Sequence, residues 1–302
     1  MRLRPVPSGR VSMLILLAIT RLAAPISWRA ARGPVSRLWF TPQRPAPSAG
    51  ARARHDRWLA GAAPISLAAV GTKLNGFRAG DGPTVLLVHG WSDRAASLGA
   101  FVGPLVDRGF TVVGVDLPGH GDSPGGRTNA FEIASALRDI DRALGGVDAI
   151  VAHSIGALVT VLGLRDGLDP RAVGLIAPLV RADNAIDRFA TQLRLPGSAV
   201  KALRADIEAR FGSGVWEELS ADLVARGLET PALIVHDEND PETRWSGSKL
   251  LAEEWSGARH LTTRGLGHYR VVRDENVVGE ITDFIADELF SSTTASRTVG
   301  GD

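Results

Sequence analysis

Ser154 stands between an apolar run at 149–152 and a helical pattern that opens at Ile155, with Gly156 two residues on. A serine at so sharp a strand-to-helix junction is presented clear of the sheet. The helix N-terminus behind it favours negative charge developing in front of it. Ala152-His153-Ser154-Ile155-Gly156 has the form of a nucleophile elbow, G-x-S-x-G, with Ala152 in the place of the first glycine. Serine is also a favoured N-cap, so the motif alone leaves a plain capping role open. Nucleophilic use requires a base and a group that orients the base. His268 is the candidate base: it follows a strand-like segment, 260–263, on a loop flanked by Gly265 and Gly267. After the strand-like run 231–235 comes His236-Asp237-Glu238-Asn239-Asp240-Pro241. Asp240 and Asp237 are both candidates for the orienting acid, and either would also suit a turn. Of the other histidines, His236 and His260 fall in strands, His55 in a basic arm, and His89 and His120 in loops; His153 is the variable position of the elbow, beside the substrate.

These groups need a rigid frame, and the apolar pattern supplies one. From about Ile65 onward, buried-strand runs at 84–89, 111–115, 149–152, 173–176 and 232–235 alternate with helical periodicity, such as Leu98, Phe101, Val102, Leu105 and Ile133, Leu137, Ile140, Leu144. Continuous apolar strands separated by helices predict an α/β fold, a mostly parallel sheet wound on both faces. About fifty residues of helical character, 179–228, separate two successive strands, which is too long for a simple connection and reads as an inserted helical lid. The expected organisation is a basic leader and arm (1–57), a core in two parts (58–178 and 229–290) around that lid, and a disordered Ser/Thr/Gly-rich tail (291–302).

The chain has 302 residues, 44% apolar and 22% charged, ordinary values for a globular protein. It has no cysteine, which excludes disulfides, thiol nucleophiles and cysteine-ligated metals. The net charge of +1 conceals an asymmetry: residues 1–57 hold eleven Arg and one acid, Asp56, for +10, and the remainder sums to −9. No zinc-ligand or RNA-binding pattern accompanies the basic segment, so no nucleic-acid partner is expected. The apolar run 11–20 is shorter than the about 20 residues that span a bilayer. It reads as a helix at a membrane surface or packed on the core, with a cleaved signal peptide as the alternative, although Leu22-Ala23-Ala24 before Pro25 is a poor cleavage site. Residues 33–51, with four Pro and two Arg, read as an extended arm. The expected location is cytoplasmic with peripheral membrane contact, secretion being the other option; the oligomeric state stays open.

Taken together, His89-Gly90-Trp91, Asp116-x-Pro118-Gly119-His120-Gly121-x-Ser123, the Ser154 elbow, His236-Asp237-x-x-Asp240 and Gly265-x-Gly267-His268 resemble the α/β-hydrolase superfamily, in its serine esterase and lipase branch, over about residues 65–290. The resemblance implies a Ser154–His268–Asp240 triad, Asp240 matching the family's H-G-x-x-D pattern. It implies oxyanion donors at the backbone N–H groups of Trp91 and Ile155, with the Trp91 indole lining the pocket, and no metal or cofactor. The Asp116–Ser123 loop is assigned a structural role. A serine at the elbow argues against the branches that use a carboxylate nucleophile. Hydrolysis of carboxylic esters through an acyl-enzyme is then the leading reaction. Ile186, Phe189, Leu193, Leu195, Phe211 and Trp216 imply a preference for an apolar acyl group. Acyltransferases, carbon–carbon bond hydrolases and perhydrolases share the same triad, and a binding module without activity is the remaining class. Ala152 for Gly, and Thr243 where an apolar residue is common, depart from the family pattern.

Overall fold

The computed structural model describes residues 28–290, so the apolar run 11–20 and the tail 291–302 lie outside the described residues. Eight strands, β1 (Ala63–Ala69), β2 (Thr72–Ala79), β3 (Thr84–Val88), β4 (Thr111–Val115), β5 (Ala149–His153), β6 (Ala172–Ile176), β7 (Ala232–Asp237) and β8 (Ala258–Thr263), form one sheet. Its order is β1-β2-β4-β3-β5-β6-β7-β8. The β1–β2 hairpin and the β2–β4 pair are antiparallel; every later pairing is parallel. Strands β4 to β7 are buried at every residue, as their unbroken apolar runs require when helices cover both faces.

One face carries α4 (Ala130–Leu144), α5 (Ile155–Arg165) and α10 (Trp245–Glu254); the other carries a 3₁₀ turn (Ala95–Phe101) leading into α3 (Val102–Asp107), and α12 (Glu275–Phe290). Helix α4 shows why such segments fold as they do. Asn129 caps it by accepting the Glu132 N–H at 3.1 Å, Gly145 ends it at φ 77°, and Ile133, Leu137 and Ile140 form its buried stripe. Between β6 and β7 are inserted α6 (Ala182–Leu193), α7 (Gly197–Phe211) and two single-turn helices, α8 (Val215–Glu218) and α9 (Ala221–Val224).

Residues 33–51 form an irregular arm only over 40–48; the rest is helical. Helix α1 (Trp28–Trp39) runs through them and, after a short loop, α2 (Ala49–Trp58) begins. The Val35 and Leu38 side chains of α1 are buried in the core, and Arg32 reaches Asp206 of α7 at 2.5 Å. Pro34 and the interspersed arginines obscure this apolar stripe in the sequence, and its partner helix lies about 170 residues further on. Among the described residues no helix is long and apolar enough to cross a membrane.

Candidate active site

The chain turns from β5 into α5 at Ser154, whose φ of 57° and ψ of −121° lie where a side chain is rarely tolerated. Close backbone approach holds the turn. A Cβ on Gly156 would stand 2.4 Å from the carbonyl oxygen of Val88, so only glycine lets α5 start against the end of β3. A Cβ on Gly90 would meet the Ser154 Cβ and His153 Nδ1 at 3.2 Å, which places the loop after β3, with Trp91, directly against the serine. The extra methyl of Ala152 is accommodated: it is fully buried in the core between β3 and β6.

His268 sits on the first turn of a one-turn helix, α11 (Gly267–Arg270), rather than on a free loop. Its Nδ1 is 2.7 Å from Oδ2 of Asp240, whose side chain is wholly buried. Asp240 Oδ1 accepts the N–H groups of Glu242 at 2.6 Å and Thr243 at 3.1 Å, which locks the carboxylate in the turn after β7. Burial alone would raise its pKa, but hydrogen bonds from His236 and His268 outweigh burial and hold the carboxyl well below the usual carboxylate range. Asp237 has other partners. It accepts Asn239 N–H at 3.0 Å, and Leu266 N–H and the Thr263 hydroxyl both at 2.9 Å, tying β7 to the segment that carries His268.

Two neighbours of Asp240 carry no role in the sequence-based expectation. The fully buried His236 brings Nε2 to 3.2 Å from Asp240 Oδ2, while its Nδ1 lies 2.9 Å from the Ser248 hydroxyl. The Thr243 hydroxyl lies 3.0 Å from the same Oδ2 and 3.2 Å from the Ala177 carbonyl, which explains a polar residue where an apolar one is common. The i, i+4 spacing of His236 and Asp240 around the turn was the available signal.

His153 lines the cavity, but its polar edge is committed elsewhere: Nε2–H donates to the His268 carbonyl at 3.0 Å, so it steadies that segment and offers the cavity its ring. His89 accepts Leu117 N–H on Nε2 at 3.0 Å and donates from Nδ1 to the Gly90 carbonyl at 2.7 Å, bracing the loop that carries Trp91. Asp116 accepts Ala95 N–H at 2.8 Å and Asp122 N–H at 2.7 Å, consistent with a structural loop.

Burial lowers the pKa of His89, pushes His153 well down with help from nearby His268, and takes His120 down to about 3, where His89 adds to the effect. The unfolded chain protonates such rings below about pH 6.5, whereas burial in the folded chain moves that protonation to lower pH. The unfolded state therefore binds more protons as the pH falls below that value, and each lowered ring reduces stability there by at most about 1.4 kcal/mol per pH unit. Asp240 acts in the same direction only below about pH 4. The melting temperature is expected to drop steeply between pH 6.5 and 5 in thermal denaturation; a midpoint constant over that range would contradict neutral buried histidines.

A cavity of about 510 Å³ opens above Ser154 and His268, with Trp91, Ile155 and His153 in its wall. Of the insertion residues expected to cover the site, Phe189, Leu193, Phe211 and Trp216 line it, whereas Ile186 and Leu195 pack into the core. Leu38, Trp39 and Phe40, from α1 and its exit, complete the apolar wall, with Trp39 edge-on to Phe189 at 5.3 Å. Arg188 of α6 pairs with Glu242 and donates to the Pro241 carbonyl at 3.0 Å, linking the insertion to the Asp240 turn. Among the described residues no cluster of three or more histidine or acidic side chains could hold a metal ion.

Comparison with known proteins agrees with this frame. A family model described as the alpha/beta hydrolase family matches residues 85–280. Over 45 residues the chain is 51% identical to a pimeloyl-(acyl-carrier protein) methyl ester esterase of Methylococcus capsulatus, a stretch that is 15% of this chain and 17% of that protein. Among solved structures, an esterase from Exiguobacterium antarcticum superposes with a TM-score of 0.59 at 16% identity, covering 74% of this chain and 99% of the other. A membrane phospholipase A superposes with a TM-score of 0.60 at 18% identity, covering 94% and 99%. At such identities these likenesses speak for the fold.

Proposed function

The chain belongs to the alpha/beta hydrolase family, and from that premise we propose that it is a serine hydrolase that cleaves carboxylic esters with an apolar acyl group. The observation that carries this reading is the 2.7 Å hydrogen bond from His268 to buried, ionised Asp240, with His268 and a serine held at φ 57° lining one apolar cavity. Asp240 holds the His268 proton on Nδ1, leaving Nε2 to take the proton of Ser154 Oγ as it attacks the ester carbonyl. The backbone N–H groups of Trp91 and Ile155 stabilise the oxyanion. Collapse of the tetrahedral intermediate expels the alcohol, which leaves with the proton from His268. Water, deprotonated by the same imidazole, then hydrolyses the acyl-enzyme, regenerating Ser154 and releasing the acid.

Covalent labelling by a fluorophosphonate, with the adduct mapped to Ser154 by mass spectrometry, tests the nucleophile; an unlabelled protein would refute it. The apolar cavity sets a second expectation. Each acyl methylene transferred from water contributes about 0.8 kcal/mol, so kcat/KM for p-nitrophenyl esters rises roughly fourfold per methylene until the cavity is filled. A panel from acetyl to dodecanoyl measures this, and a flat or falling series from acetyl to hexanoyl rules out an apolar acyl pocket.

A further inference from the structure

A second cavity, of about 480 Å³, adjoins the first and shares Trp91, Ser92, Asp93, His153 and Tyr269 with it as a common wall. Its remaining wall carries four arginines among mostly small and apolar residues. Arg54 comes from α2, Arg44 from the loop before it, Arg94 from the loop after β3, and Arg273 from the turn that follows His268. Asp93 is the one carboxylate among the lining residues.

These charges are poorly compensated. Arg44 is held by the carbonyls of Gly119 at 2.7 Å and Gly125 at 2.5 Å, which fix its position without cancelling its charge. Arg94 faces Asp122 only at 3.7 Å, and that carboxylate is 80% exposed, so water screens the pair. The buried Nε of Arg54 has no hydrogen-bond partner among the described residues. Burial, Arg54 and Arg270 all lower the pKa of Arg273, and burial lowers that of His55, where repulsion by Arg94 and Arg54 is opposed by Asp93 and Asp56. Residues 1–27 contain no acid, so the leader has no carboxylate to offer these arginines.

Guanidinium groups whose charge is weakly balanced and that line one cavity match the oxygens of a phosphate through paired N–H donors, and one carboxylate-sized charge would leave several of them unanswered. We propose that this cavity binds a phosphate group carried on the alcohol side of the ester, while the apolar cavity across the Trp91–His153–Tyr269 wall takes the acyl chain. This assignment rests on the ester-hydrolase reading and narrows its substrates to phosphorylated alcohols, whether water-soluble or lipid.

The test compares hexanoyl glycerol with hexanoyl glycerol 3-phosphate. The phosphorylated ester is expected to have the higher kcat/KM by at least about 30-fold at low ionic strength, mainly through KM, with the advantage shrinking as salt is added. Arg54→Gln and Arg273→Gln should each reduce the ratio of the two esters by about tenfold, and the double variant should abolish it. Inorganic phosphate should compete with the phosphorylated ester. A ratio near one in the wild type, or a ratio unmoved by both substitutions, overturns the proposal. If neither ester is turned over, the ester reading has failed, and calorimetric titration with inorganic phosphate decides the cavity separately: binding that the double variant loses supports it, and no binding by the wild type rejects it. Comparing the soluble hexanoyl ester with a micellar palmitoyl glycerol 3-phosphate then distinguishes a free phosphorylated alcohol from a lipid headgroup.

Discussion

Replacing Ser154 by alanine is expected to lower kcat for p-nitrophenyl esters by about 10⁴-fold or more, as loss of an activated nucleophile does, while the melting temperature stays within a few degrees of the wild type. The kinetic loss follows because the proposed oxyanion donors and base remain but have no covalent intermediate to serve. The stability is preserved for a local reason: alanine inherits the same positive φ of 57°, and the backbone bonds that fix the turn, Ser154 N–H to the Ile176 carbonyl at 3.0 Å and Leu179 N–H to the Ser154 carbonyl at 3.1 Å, do not involve the side chain. Ser154→Gly provides the complementary measurement. It should be as inactive, yet more stable by about 1 kcal/mol, because glycine relieves the backbone strain that the turn imposes on any side chain. Steady-state kinetics and thermal melts on the two variants suffice; undiminished turnover by Ser154→Ala would end the triad assignment.

The second large effect separates two carboxylates three residues apart. Asp240→Asn should cost about 10³- to 10⁴-fold in kcat, because an amide facing His268 Nδ1 turns the imidazole into the wrong tautomer and places its proton where Ser154 needs an acceptor. Asp237→Asn should cost less than about tenfold in kcat but about 1–3 kcal/mol of stability, since an amide nitrogen cannot accept from both Leu266 N–H and the Thr263 hydroxyl. One variant is thus chiefly kinetic and the other chiefly thermodynamic. The opposite pattern would assign the orienting role to Asp237.

Much of this protein is legible in one dimension. The unbroken apolar runs of β3 to β7 imply strands covered on both faces, and helices such as α4 announce their buried stripe and their caps, because burial and hydrogen-bond demand repeat with the local period of each element. The elbow at Ser154 is likewise a short-range feature, a small-residue turn between a strand and a helix. What the local pattern could not decide is which groups meet. Asp237, the last residue of β7, and Asp240, three residues on, are both acids that the local pattern allows, and the turn between them aims Asp240 at His268 and Asp237 at the loop after β8. His236 reads as a strand residue until the fold sets it behind Asp240. Helix α1 reads as an arm because Pro34 and its arginines interrupt its apolar stripe, and the helix it packs on, α7, lies far along the chain. The arginines around the second cavity come from four separate segments whose spacing carries no signal at all. Local periodicity is set by neighbours within a few residues, whereas the convergence of charges and the choice between like side chains are set by contacts across the whole sheet, and those exist only once the chain has packed.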